Sequence, residues 1–244
     1  MKQDFFELYK AIAQGVDSDE PISCAVNAQL WNIVETGQAT GMAMSIPGDS
    51  IAPMFPCHEG LSLRQAASAV GSWNLSEAGI ALAAANCHYN RIERMDALRA
   101  HEPYENYCTH GLDFEGKTVG LVGHLRGPED MYKLARKVYI IEREPQPGDY
   151  PDAACDFILP QCDIVLITGS SIVNKTLPHL LELCENAYTI LTGPSVPLCP
   201  DLLDLGIDRL AGMAVTDRAG LHAHVMSGAM TSPYAYGASF LLKR

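Results

Sequence analysis

In the segment Asp163-Ile-Val-Leu-Ile-Thr-Gly-Ser-Ser-Ile-Val-Asn-Lys-Thr176, an unbroken apolar run from Ile164 to Ile167 gives way to small hydroxylated residues. Continuous β-branched and aliphatic character suits a strand buried on both faces of a parallel sheet. Thr168-Gly169-Ser170-Ser171 then breaks the strand. Asn174 can cap the next element, and Thr176 to Glu185 reads as a helix with Leu177, Leu180, Leu181 and Cys184 on one stripe. The product is a strand, a small-residue loop and a helix start. In open α/β sheets ligands bind at such strand ends, where free amides attract anions. A tight βα turn with no ligand is the plain alternative.

The same alternation extends both ways from this segment. Upstream, Lys117 to Val122 reads as a strand ending in Gly123-His124, Pro128 opens a helix running from Glu129 to about Arg136, and Val138 to Glu142 forms the next strand. Asp156 to Leu159 is a short apolar piece. Downstream, Tyr188 to Thr192 is a strand ending in Gly193-Pro194-Ser195, Pro200 to Leu205 a short helix closed by Gly206, and Leu210 to Val215 a strand with Asp217 just past its end. Strands alternating with helices imply a parallel sheet with crossovers.

The first half reads differently. A helix is expected over Phe5 to Gln14, an apolar–polar strand region over Ile22 to Glu35, and a further strand over Gly41 to Ile46. A loop from Pro47 to Gly60 precedes two helices, one opened by Ser62 and running to about Val70, the other running from Glu77 to about Asn90. The second is packed with alanine, which lets another backbone approach closely. Asn86 and Asn90 lie four apart on one face, suited to a ligand or to a neighbouring loop. His101 to Gly116 has turn formers and no period, so the chain divides into a smaller α+β domain, residues 1–105, and a Rossmann-like α/β domain, residues 106–244.

Composition narrows the partners. Apolar residues make up 48% of the 244, enough for a sizeable core, and 29 acidic against 17 basic residues give a formal net charge of -12. That balance argues against nucleic acid and anionic membranes. No apolar run reaches the ~18 residues of a membrane span. Met1 to Lys10 reads as the start of an amphipathic helix instead of an export signal, so a cytoplasmic protein is expected. The eight cysteines are scattered without a Cys-x-x-Cys pair, which favours free thiols and predicts no structural zinc.

Several residues could carry chemistry. Gly120-x-x-Gly123-His124 is a truncated dinucleotide fingerprint, and Glu142 stands where an acidic residue holds ribose hydroxyls in Rossmann domains. His124 is the first choice for a catalytic group, because imidazole serves as acid, base or metal ligand near neutral pH. Candidate metal ligands are Cys57-His58-Glu59, Cys87-His88, Cys108-x-His110 and His222-x-His224, the last pair sharing one face if it lies on a strand. Strand-end loops of a parallel sheet open on one edge. A single pocket is therefore expected to be lined by Gly123, His124, Thr168, Gly169, Ser170, Asn174, Gly193, Pro194, Ser195 and Asn86, with Glu142 and Asp217 as further ligand-binding candidates.

Taken together, Val-Gly-Leu-Val-Gly-His124, Glu142, the segment Cys162 to Thr176, Gly193-Pro-Ser-Val-Pro-Leu-Cys-Pro200, Gly206-Ile-Asp208, Ala211-Gly212 and Asp217 resemble the "putative heavy-metal chelation" family of prokaryotic proteins. Gly60-Leu-Ser-Leu63 and Ala81-Leu-Ala-Ala-Ala-Asn86 resemble the small domain that precedes it in that family, a domain similar to the N-terminal domain of enolase. The resemblance implies an enolase-N-like domain followed by a Rossmann-like domain, with a site in the cleft between them. It implies a small-molecule ligand, a transition metal or a metal chelate as the bound species. An enzyme acting on a small polar metabolite or nucleotide-like ligand is the alternative, and a homodimer is the assembly to consider. One departure stands beside the site: the family's Gly-His-Phe-Pro reads Gly123-His124-Leu125-Arg126 here, which would suit a more anionic ligand.

Overall fold

A computed structural model of the protein describes residues 6–100, 108–125 and 127–244. The boundary between residues 105 and 106 and the side chain of Arg126 lie outside them.

The first half begins with α1 (Glu7–Gln14) and continues into β1 (Cys24–Asn27), β2 (Trp31–Glu35) and β3 (Thr40–Met44), an antiparallel sheet in the order β1-β2-β3. The expected strand region from Ile22 to Glu35 is thus a hairpin. The chain reverses after Asn27, which pairs with Asn32, and Ala28 N donates to Trp31 O. Three helices come next: α2 (Leu63–Ala67), α3 (Leu75–Tyr89) and α4 (Ile92–Leu98). Ser62 and Gln65 form a reciprocal capping box on α2, and Asn74 accepts from Glu77 N at the start of α3. The alanines of α3 do what small residues allow. A Cβ on Gly41 of β3 would lie 2.1 Å from Cys87 N and 2.2 Å from Ala83 O, so helix and strand touch backbone to backbone.

The second half comprises β4 (Thr118–Val122), α5 (Glu129–Leu134), β5 (Lys137–Glu142), β6 (Tyr150–Pro151), α6 (Cys155–Ile158), β7 (Ile164–Thr168), α7 (Ser170–Val173), α8 (Leu177–Leu183), β8 (Tyr188–Thr192), β9 (Arg209–Val215), α9 (Arg218–Met226) and β10 (Gly237–Lys243). The sheet order is β10-β9-β8-β7-β4-β5-β6, all parallel except β10, which runs antiparallel to β9. Read from β4, this is the Rossmann order, and its switch point falls between β4 and β7. The apolar run of β7 serves both faces: Ile164 and Leu166 join Val119, Leu121 and Met131 on one side, while Val165 and Ile167 join the large core on the other. The chain is therefore α/β, with a smaller antiparallel unit ahead of a Rossmann-like sheet.

Beyond the hairpin, α4, β6 and α7, two elements after Val215 also depart from the sequence reading. Residues 218–226 are helical, started by Asp217, whose carboxylate accepts from Gly220 N. His222 and His224 therefore lie two apart on a helix and point to different sides, correcting the strand-based pairing: His222 faces Glu35, and His224 Nε2 meets Thr231 O. The edge strand β10 is the second, and it covers β9.

The halves share a core. Leu8, Ile12 and the α3 alanines pack in one cluster with Ile172, Val196 and Leu198. Trp31, Ile33 and Met42 of the small sheet pack on Met213, Leu221 and Val225. Polar bonds fix the register of this join. Asn86 Nδ2 donates to Met42 O and Ser195 O; Asn90 Nδ2 donates to Val196 O and Met213 O, and its Oδ1 accepts from Leu198 N.

Candidate ligand-binding cleft at the sheet edge

The loops after β4, β5, β7 and β8 open on the edge where the switch point lies. A cleft of about 1360 Å³ runs along that edge, lined by Gly123, His124, Glu142, Thr168, Ser170, Asn174, Gly193 and Pro194, with Leu30, Met44 and Pro47 of the first half on its other wall. Its volume exceeds the upper end of ordinary small-ligand pockets, roughly 1,000 Å³. Gly123 has φ +109° and a Cβ there would lie 3.2 Å from Thr168, so glycine lets the two strand ends meet at the switch point.

His124 occupies the middle of a carboxylate pair. Its backbone N–H donates to Glu142 Oε1 at 2.9 Å, its Nδ1 lies 3.4 Å from the same oxygen, and its Nε2 lies 2.6 Å from Asp149 Oδ2. Asp149 also accepts from Gln146 N; that bond first, and the His124 ring second, hold its carboxyl below the usual range. Glu142 Oε2 accepts from Arg143 N. The glutamate at the ribose position is thus already engaged in ordering the Gly123-His124 turn. Asp149 stood outside the sequence reading because it lies in an exposed turn after β5 with no motif around it.

At the β7 end, Thr168 Oγ1 and Ser170 Oγ lie 3.1 Å apart, and Ser171 Oγ donates to Thr168 O. Asn174 Oδ1 accepts from Thr176 N and Thr176 Oγ1, so it caps the approach to α8, while its amide nitrogen has no partner among the described residues. Gly193, at φ +124°, closes the β8 loop by donating to Ala211 O.

Four residues expected at this site stand back from the cleft lining. Asn86 is buried in the join. Gly169 packs under Val196, where a Cβ would lie 2.7 Å from Val196 Cγ2. Ser195 Oγ accepts from Met44 N at 2.8 Å, and Asp217 starts α9. The charges on the lining are mostly negative: Glu142, Glu144, Asp152 and Asp156 stand against Arg143 among the described residues.

Among the described residues, the sequence-adjacent metal pairs gather no further ligands into a group of three. His88 contacts Arg94, and burial followed by that guanidinium pushes its ring down to about 4. Burial pushes the Cys87 thiol up to about 11. His58 is buried, which lowers its ring as well. Among the described residues, one group of at least three His, Cys, Asp or Glu side chains brings its ligand atoms within 4.8 Å of one another: Cys24, Glu35 and His222. Cys24 and Glu35 had no sequence signal, because their partner is on α9.

Fold and cleft together define a class: a Rossmann-like α/β domain with a cleft at the switch point of its sheet, bordered by a small antiparallel unit. Family comparisons agree. Residues 109–241 match the DUF364 model and residues 9–89 the DUF4213 model, both described as "Putative heavy-metal chelation". The chain belongs to the DUF364 family. A DUF364 protein of unknown function from Desulfitobacterium hafniense superposes with a TM-score of 0.85 at 35% identity, over 98% of both chains. Another, from Pyrococcus horikoshii, gives a TM-score of 0.79 at 22% identity over 98% of this chain and 99% of that one, a likeness of fold. An "Uncharacterized protein" of Methanocaldococcus jannaschii is 32% identical over 123 residues, 47% of this chain and 48% of that protein, so the match spans about half the length of that relative. No helix among the described residues is long and apolar enough to cross a membrane.

Proposed function

We propose that the protein binds a small polar molecule or metal chelate in the cleft at the edge of its parallel sheet. The observation that carries this reading is convergence: the β4, β5, β7 and β8 loops bring His124, Glu142, Thr168, Ser170, Asn174 and Gly193 to one cavity at the switch point. The excess of carboxylates on its lining favours a metal-bearing or cationic ligand over a nucleotide phosphate. Binding without catalysis fits His124 best, because both ring nitrogens already face carboxylate oxygens.

A second reading, an enzyme acting on a small polar metabolite, is favoured by the Asp149–His124 pair, since a carboxylate that orients an imidazole is a recurring general-base arrangement. It requires Glu142 to release Nδ1 when substrate enters. Native mass spectrometry with elemental analysis, on protein purified without a metal-affinity tag, tests the binding reading. A bound mass or metal is expected, diminished in Thr168→Val and His124→Asn. The measurement is made on the Cys24→Ser background, so that metal at the Cys24, Glu35 and His222 group is not counted; a ligand retained in full by both variants would then lie elsewhere and end the reading.

A further inference from the structure

We propose, against the expectation from cysteine spacing that there is no structural zinc, that Cys24, Glu35 and His222 form a divalent-metal site that joins the antiparallel sheet of the first half to α9 of the second. This site is separate from the sheet-edge cleft and does not depend on the reading of that cleft.

One ligand pair already stands at coordination spacing, and the third ligand atom lies nearby. Ligand atoms around a tetrahedral zinc ion lie about 3.2–3.8 Å apart, as bonds of ~2.0–2.3 Å require. His222 Nδ1 is already 3.2 Å from Glu35 Oε2, and the Cys24 sulfur completes a set whose members all lie within 4.8 Å. Two of the three are fixed by the backbone: Cys24 and Glu35 are directly opposite partners in the β1–β2 ladder. The third comes from a helix that packs on the same sheet through Leu221 and Val225.

The surroundings orient the carboxylate. Thr40 Oγ1 donates to Glu35 Oε1, leaving Oε2 toward the imidazole. Arg218, the charged neighbour on α9, is turned aside, donating to Thr36 O, Gly37 O and Thr40 Oγ1. Glu59 lies close enough for its charge to act on Cys24, so the local field attracts a cation. The side chains of Glu35 and His222 are 16% and 39% exposed, which leaves an entry path and room for water as a fourth ligand. One thiolate, one imidazole and one carboxylate suit borderline divalent ions such as zinc or cobalt better than magnesium or calcium. Binding would release the thiol proton to solvent.

The test is titration of the metal-free full chain with Co²⁺ against a competing chelator, read by absorption and by melting temperature. A thiolate-to-cobalt charge-transfer band is expected that saturates at one equivalent, with a higher melting temperature. In Cys24→Ser the band should vanish, and in Cys24→Ser, His222→Ala and Glu35→Gln affinity should fall by about tenfold or more. Circular dichroism of the metal-free variants checks that each folds. Cys57→Ser and His124→Asn should leave the band unchanged, which separates this site from the exposed Cys57 and from the cleft. Absence of a charge-transfer band saturating at one equivalent, a band that survives Cys24→Ser, or a band lost in Cys57→Ser would overturn the proposal.

Discussion

Asn86 and Asn90 on α3 and Asn174, Ser170 and Thr168 at the sheet edge are similar residues put to opposite uses. At the join, each asparagine is buried and its amide nitrogen donates twice to main-chain carbonyls. At the edge, hydroxyls and amides bond only to near neighbours along the chain, and the Asn174 amide nitrogen has no partner among the described residues. Residue type does not separate a rivet from a binding group. Where the bonds go and what the group faces does: the join asparagines donate across to the other half of the chain, although Asn86 Oδ1 stays buried without a partner among the described residues, whereas the edge groups bond within a few residues and line the cleft.

Asn90→Ala is the strongest way to break this comparison. It removes the bonds to Val196 O and Met213 O and leaves Leu198 N unsatisfied, all in a buried join. With each bond contributing about 1 kcal/mol net, a loss of about 3 kcal/mol is expected, or roughly 6–12 °C in melting temperature for a chain of this size. Urea and thermal unfolding would read it. A melting temperature within a degree of the parent would mean the join does not rest on this residue. Asn86→Ala, with two bonds, should lose about 2 kcal/mol.

Lys175 sharpens the same contrast, because it sits directly after Asn174 and yet belongs to the join. At φ +67° its side chain turns inward; Nζ donates to Val70 O and sits 4.6 Å above the Tyr9 ring. Burial pushes it down to about 7. The unfolded side chain titrates near ~10.4. Between these values the unfolded chain holds a proton that the native chain has lost, so Lys175 contributes a stability that rises with pH from about 7 upward. Below that value both states are charged, the slope vanishes, and the cost of the buried charge is fully present. The slope is bounded at about 1.4 kcal/mol per pH unit. Buried thiols such as Cys87, pushed up to about 11, oppose it above roughly pH 8.5. Chemical unfolding between pH 7 and 8.5 should therefore show a steeper rise for the parent than for Lys175→Met. Parallel curves would mean that the ammonium stays charged in its site.

The parallel sheet was legible because its signals are local. The Ile164–Ile167 run, the glycine after Val122 and the Gly193-Pro194 turn each announce themselves within a few residues; the structure makes the first the body of β7 and places the other two just past the ends of β4 and β8. What could not be read were pairings over distance. Asp163 accepts from Thr118 N and Asp208 from Thr189 N, tying strand starts together from outside the strands. His222 and Glu35 are 187 residues apart in sequence. The hairpin inside Ile22–Glu35 was hidden because Asn27-Ala-Gln-Leu30 carries no glycine or proline to mark its turn. The helix at 218–226 was hidden for another reason: Ala219-Gly-Leu-His-Ala-His224 has a weak apolar stripe, and packing of Leu221 and Val225 on the small sheet supplies what the pattern lacks.

His124→Asn should have the smallest effect on the fold and the most specific effect on the site. The side chain is 38% exposed while those of Glu142 and Asp149 are 24% and 8% exposed, so its contacts are partly screened and contribute about 1 kcal/mol. Its backbone bond to Glu142 survives the substitution, and Asp149 keeps Gln146 N. The melting temperature should therefore move by no more than roughly 2–4 °C. Asparagine offers a polar group of similar reach and cannot titrate. If the ring contacts the ligand, occupancy measured by native mass spectrometry should fall by about tenfold, equivalent to ~1.4 kcal/mol. A large drop in melting temperature with unchanged occupancy would invert the comparison: His124 would then be a rivet like Asn90, and the open polar groups of Thr168, Ser170 and Asn174 would have to account for binding at this edge.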